Sequence, residues 1–415
     1  ACELIEELGA GEVVAGMVDV YPEKKEEHTI KFDPDYVNKL IGFNLTEEQM
    51  VSYFPALELK YDAATKTITV PTFRQDLIGM CDIAEEVARF YGYANIPTAL
   101  PSGEATAGKL SYKLRIDEIA RRVALYCGFS QGMSYSFESP KVYDKLLLPM
   151  DSDMRKSIVI SNPLGEDFSV MRTSSLGGML TSLATNYNRR NESAGLFEVA
   201  KVYIPKALPL TELPHEIPTL TMGMYGNMDF YDLKGIVEHL MHVLGMSKVA
   251  EYVTEKSLPW MHPGRTASVI VNGESIGYLG EVHPAVLKNY GIGTRAYLAV
   301  LDMEKVIANA NRDVVYQALP KFPALTRDIA MLVKEDVTVK EIADIIKKNG
   351  GAYLEEAKLF DVYQGAQIEA GYKSVAYSIT FRSAEKTLAD ADIADAMDKI
   401  LKGLAEELGA QLRDK

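Results

Sequence analysis

Near the end of the chain the apolar positions change period in an orderly way. Alternation in FPALTRDIAMLV gives way to a helical period in TVKEIADIIKKNG, then returns in YLEEAKLFDVYQG and KSVAYSITFRS. A second helical stretch, ADADIADAMDKILKGLAEEL, and a short strand, AQLR, close the segment. The predicted order over 320–413 is βαββαβ, the ferredoxin-like arrangement. Val339, Ile342, Ile345 and Ile346 form one helical stripe, and Ile393, Met397, Ile400 and Leu404 the other. Thr387, with Asp390 three residues on, is the expected cap of the second helix. Ile329, Met331 and Val333 share one strand parity, Phe360 and Val362 another, and Val375, Tyr377, Ile379 and Phe381 a third; these are expected to face the helices. Ala330, Asp361, Tyr363, Ser374, Ser378 and Arg382 are then left on the open side.

Upstream, 110–310 mixes amphipathic helices with short strands rich in β-branched and aromatic residues. Its first helix puts Ile116, Ile119, Ala120, Val123 and Cys127 on one face. Asn272-Gly273 between two apolar runs marks a hairpin, so an antiparallel sheet with helices is expected rather than a parallel one. Residues 23–97 form a smaller mixed domain: a helix in FDPDYVNKLIG, another starting near Thr46, a strand pair ending TITVP, and a last helix running toward ANIP. The Pro/Gly-punctuated stretch 98–109 is a linker. Leu4, Ile5 and Leu8 already repeat at helical spacing and no methionine starts the chain, so 1–22 are expected to be the tail of a larger preceding domain. The whole is an α+β multidomain protein.

Composition narrows the class. At 415 residues the chain has room for several cores. Hydrophobic residues make up 47% and charged residues 25%, and no apolar run approaches the roughly 18 residues of a membrane span. Cys2, Cys81 and Cys127 are odd in number and far apart, which suits reduced thiols in a cytoplasm rather than disulfides or a thiolate zinc site. The formal charge of −14 opposes bulk neutralisation of phosphate, so any nucleic-acid contact must be local. No clean phosphate loop or GxGxxG fingerprint is present.

Two clusters carry candidate chemistry. Asp82, Glu85, Glu86 and Arg89 lie at i, i+3, i+4 and i+7, with Asp76 on the loop ahead. Such carboxylates suit Mg2+, which takes oxygen ligands and keeps several waters. They equally suit a helix start, with Asp82 as N-cap, Glu85 as its capping-box partner and Glu86 paired to Arg89 or Arg74. On the open face of the last module, Tyr363 could stack an unpaired base while Asp361 and Ser374 bond its edges. The competing reading is an ordinary solvated sheet face.

Three stretches, in order, resemble one family, the β subunits of phenylalanyl-tRNA synthetases. VPTFRQDLIGMCDIAEEVARFYGYANIP resembles the B5 domain, SNPLGEDFSVMRTS with GLFEVAKVY resembles the synthetase-like core, and FPALTRDIAMLV with LFDVYQG resembles the anticodon-binding domain. The resemblance implies a remnant of the B3/B4 editing region at 1–22, a winged-helix-like B5 domain at 23–97 and a class II synthetase-like, non-catalytic core at 110–310. A ferredoxin-like anticodon-binding domain at 320–413 completes it. The implied role is the non-catalytic part of an α2β2 phenylalanine–tRNA ligase in the cytoplasm, away from membranes. In that assembly the α subunit binds ATP, and this chain holds α and reads tRNA(Phe). The resemblance also implies Mg2+ shared with α at Asp76, Asp82, Glu85 and Glu86, and anticodon contacts at Ala330, Asp361, Tyr363 and Ser374.

No catalytic residue is expected. Adenylate formation needs fixed guanidinium groups on the phosphates. Arg172 in MRTS resembles the entry to a class II motif 2, but FEVAKVY offers only Lys201, and RAYLAVLDMEKV has no glycine-rich run entering a helix through arginine. Arg172 is therefore expected to serve packing or the α interface, and the chain alone to be inactive. His262, Arg265 and His283 lack a nearby nucleophile in sequence and are assigned turn or core roles. The competing function is a nucleic-acid-binding regulator built on the winged-helix-like module, which its acidic motif region disfavours.

Overall fold

The computed structural model of the protein describes residues 1–365 and 367–413. Two compact units are present, Ala1–Lys109 and Leu110–Lys415. Among the described residues no helix is long and apolar enough to cross a membrane.

The first unit opens with a short exposed helix, α1 (Cys2–Glu7), and its packed part begins at β1 (His28–Lys31). That strand was not predicted: four residues with one buried side chain carry no readable period. α2 (Pro34–Ile41) starts on the Asp33 side chain, which accepts from the backbone of Asp35 and Tyr36. α3 (Glu47–Val51) starts where the sequence placed it, on a reciprocal Thr46–Gln49 capping box. β2 (Lys60–Asp62), β3 (Thr67–Val70) and α4 (Met80–Tyr91) follow. The strands form an antiparallel sheet in the order β1-β3-β2, packed by Ile68 and Val70 against Val37, Met50, Ile83 and Val87.

The second unit starts with α5 (Tyr112–Tyr126), β4 (Ser130–Gln131), β5 (Phe137–Glu138), α6 (Val142–Lys145), β6 (Val170–Met171) and α7 (Leu176–Asn188). It continues with β7 (Ala194–Ile204), β8 (His215–Tyr225), α8 (Phe230–Val243), β9 (Ala250–Thr254) and β10 (Met261–Val271). β11 (Glu274–Val282), α9 (Pro284–Tyr290), β12 (Ala296–Asp302) and α10 (Met303–Asn309) complete this part. Seven strands form one sheet in the order β4-β7-β8-β12-β11-β10-β9, antiparallel except where β4 meets β7. The Asn272-Gly273 turn joins β10 to β11 as expected, both residues at positive φ.

Helices cover both faces of this sheet. Along β12, Tyr297, Ala299 and Leu301 pack with α5 and α8, while Ala296 and Leu298 pack with α6, α7 and α9. A strand buried on both sides reads as the unbroken apolar run AYLAVL, without polar alternation. The fit is tight at Gly223 on β8, where a Cβ would lie 2.8 Å from Met179 Cγ and 3.0 Å from Leu183 Cδ1.

The last elements are β13 (Leu325–Lys334), α11 (Val339–Asn349), β14 (Leu354–Tyr363), β15 (Tyr372–Phe381), α12 (Asp390–Leu408) and β16 (Gln411–Leu412). Their order is the βαββαβ expected, in an antiparallel sheet β14-β15-β13-β16. Ile342, Ile345, Ile346, Ile393, Ile400 and Leu404 are buried against Ile329, Met331, Val333, Val375, Tyr377, Ile379 and Phe381. Two expectations need correction. α12 is capped at Ala389 with Asp392 at the third position, not from Thr387 and Asp390, because its first turn begins two residues later. Phe360 and Val362 do not pack against the helices but are 55% and 48% exposed. β14 is an edge strand broken by register shifts at Leu354/Glu356 and Leu359/Asp361; the second leaves Phe360 unpaired, whereas Val362, opposite Val375 on the helix side, is exposed on the outermost strand.

Gly223→Val is expected to lower stability by about 1–3 kcal/mol through overpacking of α7 against the sheet. A lowered urea midpoint would show it; an unchanged midpoint would mean the helix can move away freely.

Candidate functional site

The open face of the four-stranded sheet is built around β15. Ala376 is flanked by Ala330 on β13 and Asp361 on β14, and one row along Ser374 is flanked by Leu332 and Tyr363. Gln411 on β16 extends that second row beside Leu332. All four positions singled out in the sequence, Ala330, Asp361, Tyr363 and Ser374, thus fall in two adjacent rows of one face. The register shift between Leu359 and Asp361 is what turns Asp361 and Tyr363 to this side.

The face has small residues at its centre. Ser374, 5% exposed, and the small Ala376 make its floor, while Tyr363 stands at the wall, 40% exposed, with Asp361 exposed beside it. The Tyr363 hydroxyl lies over Gly365, where a Cβ would come within 2.5 Å of it. Small floor residues admit a flat ring, an aromatic wall can stack on it, and a free carboxylate accepts from ring or exocyclic N–H groups. Arg382, also expected here, is already occupied: it donates to Glu355 at 2.8 Å and to the Phe322 carbonyl at 2.9 Å. Leu332, Ala376 and Gln411 were not singled out: alternation already puts Leu332 and Ala376 on the side of Ala330 and Ser374, but the row each occupies, and the place of Gln411, depend on cross-strand register.

The acidic cluster of the first unit keeps the expected pairing of Glu86 with Arg74 and Arg89 but not the expected cap. The N-cap of α4 is Gly79, and Asp82 sits at the third position, accepting from the backbone of Ile78 at 2.8 Å and of Gly79 at 2.7 Å. Those bonds hold the Asp82 carboxyl below its usual range. Glu85, expected as the box partner, is exposed. Arg74 donates to Asp76 at 2.7 Å and to Glu86 at 2.8 Å, and Arg89 also pairs with Glu86. Burial works to raise the buried Glu86, but the hydrogen bonds from Arg74 and Arg89 prevail and hold it low. Arg74 likewise keeps Asp76 low. Among the described residues no three His, Cys, Asp or Glu side chains converge to hold a metal. Asp76 and Glu86 are engaged by guanidinium groups and Asp82 by backbone N–H groups, which leaves only the exposed Glu85 without such a partner among the described residues, so these residues by themselves do not fit the ion.

In the seven-stranded region the Arg172 guanidinium turns inward. Arg172, 3% exposed, donates to the Lys201 carbonyl at 2.8 Å, to Ser134 Oγ at 2.9 Å and to the Tyr135 carbonyl at 3.3 Å, with Glu198 at 3.5 Å. Glu198 in turn accepts from the Ser134 backbone at 2.9 Å and hydroxyl at 2.7 Å. Arg265 forks onto the buried Glu281 at 2.9 and 3.1 Å. His262 accepts from the Gly264 backbone and His283 from that of Ala285, which are turn and cap roles. A cavity of about 400 Å³ in this unit has no arginine in its wall. Arg172 and Arg265 are thus both engaged by this chain's own oxygens.

Comparison with known proteins gives three family matches. Residues 96–303, half of the chain, match the phenylalanyl tRNA synthetase beta chain CLM domain. Residues 30–93 match the tRNA synthetase B5 domain, and 320–413 the ferredoxin-fold anticodon binding domain. The phenylalanine–tRNA ligase beta subunit of Clostridium tetani is 47% identical over 414 residues, covering 99% of this chain and 52% of that protein. Those of Clostridium acetobutylicum and Moorella thermoacetica are 45% and 36% identical over 416 and 422 residues, each covering 100% of this chain and 52% of their own. The chain spans about half the length of the curated relatives it matches. Among solved structures, pyrrolysyl-tRNA synthetase from Desulfitobacterium hafniense overlaps 49% of this chain and 74% of its own at 15% identity, with a TM-score of 0.39, too loose a likeness to carry a conclusion.

Arg74→Ala is expected to destabilise the first unit by about 3 kcal/mol, the lower end for breaking a buried pair because Arg89 remains. Glu86 and Asp76 have depressed pKa values, so their contribution is full above the ordinary carboxyl range and fades as pH falls through the folded values. Denaturation of wild type and variant should therefore converge in acid. Calorimetric titration of the chain alone with Mg2+ is expected to show no saturable site; stoichiometric binding would overturn the assignment of these acids to Arg74.

Proposed function

The chain belongs to the phenylalanyl-tRNA synthetase β-chain family, and from that premise we propose that it acts as a non-catalytic part of a phenylalanine–tRNA ligase. In this reading 320–413 reads the anticodon of tRNA(Phe), with Ala330, Asp361, Tyr363 and Ser374 as contacts. The region 110–310, a class II synthetase-like core, holds a catalytic α subunit that binds ATP and phenylalanine. Residues 23–97 form a winged-helix-like B5 domain. The working assembly is an α2β2 heterotetramer in the cytoplasm. Mg2+ belongs to the proposal only as a site shared with α: oxygen ligands from that subunit would have to complete a set in which Asp76 and Glu86 are drawn off Arg74.

The observation that carries this reading is the pair of rows on the open sheet face, small residues in the floor with an exposed tyrosine and a free carboxylate beside them. That is a surface suited to an unstacked base. The inward-turned Arg172 supports the non-catalytic part, because a guanidinium engaged by three oxygens and a buried carboxylate is not free for phosphate.

Tyr363→Ala, in the chain assembled with its α subunit, tests the reading. Loss of one base stack is worth about 1–3 kcal/mol, so KM for tRNA(Phe) in aminoacylation should rise roughly 5- to 150-fold. ATP–pyrophosphate exchange, which needs no tRNA, should be unchanged. An unaltered tRNA KM would sink the proposed anticodon face.

A further inference from the structure

We propose that the cavity between the β5–β6 ribbon, α6, α9 and the start of α7 binds a free amino acid with an apolar side chain. The proposal is independent of the anticodon reading. It rests on groups in one concavity of about 400 Å³ that this chain does not itself pair.

Glu138, on β5, lines the cavity, and among the described residues its carboxyl has no hydrogen-bond or ion-pair partner within 4 Å. Burial pushes it up to about 8, against the pull of Arg172. Among the described residues a carboxyl so placed has no cation in contact with it. Lys145, at the end of α6, lines the same cavity and holds its ammonium 5.2 Å from the centre of the Tyr290 ring. Among the described residues it pairs with no carboxylate. The Tyr290 hydroxyl is buried and has no partner either. Carboxyl, ammonium and phenol are thus each left open where one zwitterion could satisfy them, its ammonium on Glu138 and its carboxylate on Lys145.

The remaining wall suits an apolar side chain. Tyr135 and Phe168 meet edge to face at 5.4 Å and both line the space. Two glycines keep it open. A Cβ at Gly177 would lie 2.7 Å from the Glu138 carboxylate oxygen, and one at Gly178 would lie 2.5 Å from Ser134 Oγ. The first turn of α7 therefore approaches Glu138 more closely than any other residue type permits.

The test is calorimetric titration of the chain, free of any α subunit, with L-phenylalanine, 2-phenylethylamine and 3-phenylpropionate. L-Phenylalanine should bind saturably at one site, and each singly charged analogue roughly tenfold or more weaker, as expected for losing one charge-assisted bond. Glu138→Gln should weaken the amino acid and the amine but not the propionate. Lys145→Met should weaken the amino acid and the propionate but not the amine. Should Glu138→Gln fail to fold, Lys145→Met, on an exposed position, carries the test alone. Absence of saturable binding to the wild type, or binding that neither variant changes, overturns the proposal.

Discussion

A buried guanidinium held by two carbonyls, a hydroxyl and a carboxylate is the feature on which the larger unit turns. Arg172, just after β6, joins the 134–135 segment to β7 through Ser134, Tyr135, Lys201 and Glu198, all distant from it in sequence. Taking an ion pair out of water costs several kcal/mol per ion unless geometry and further hydrogen bonds compensate. Here they do, through two carbonyls, a hydroxyl and a carboxylate. The arrangement is self-consistent only while Arg172 stays inward. A group held this way acts as a strut, and the sheet it braces is covered by helices on both faces. A guanidinium withdrawn from solvent and a firmly packed scaffold are two descriptions of one arrangement.

The same logic recurs in the first unit on a smaller scale. Arg74 bridges a loop carboxylate and a helix carboxylate, so what the sequence offers as a rim of negative charge is largely neutralised internally. Helical spacing correctly put Asp82, Glu86 and Arg89 on one side of α4. The sequence offered Arg89 or Arg74 as the partner of Glu86; spacing alone could not say that both engage it or that it is buried. Nor could it see that the helix starts on a glycine, which has no side chain to announce a cap.

How much was legible depends on whether the determinant was local. The ferredoxin-like module was readable because two helical stripes and two regular ten-residue strands repeat their period long enough to be recognised, and the β10–β11 hairpin because Asn272-Gly273 is the turn its backbone requires. β1 was invisible for want of length. The exposure of Phe360 was misjudged because a bulge is set by pairing with β15, which no window along β14 contains. For the open face, alternation nominated Asp361, Tyr363 and Ser374, family resemblance singled them out, and only the cross-strand register brings Ala376, Leu332 and Gln411 into the same rows.

Those two irregularities in β14 have an effect beyond re-aiming side chains. A straight outer strand exposes a ladder of unused amide and carbonyl groups to any other chain with a similar edge, and self-association through such edges is a standing hazard. By kinking the rim twice, the molecule spoils it as a template for a neighbouring copy. An exposed tyrosine can then remain accessible next to an unpaired border without inviting aggregation.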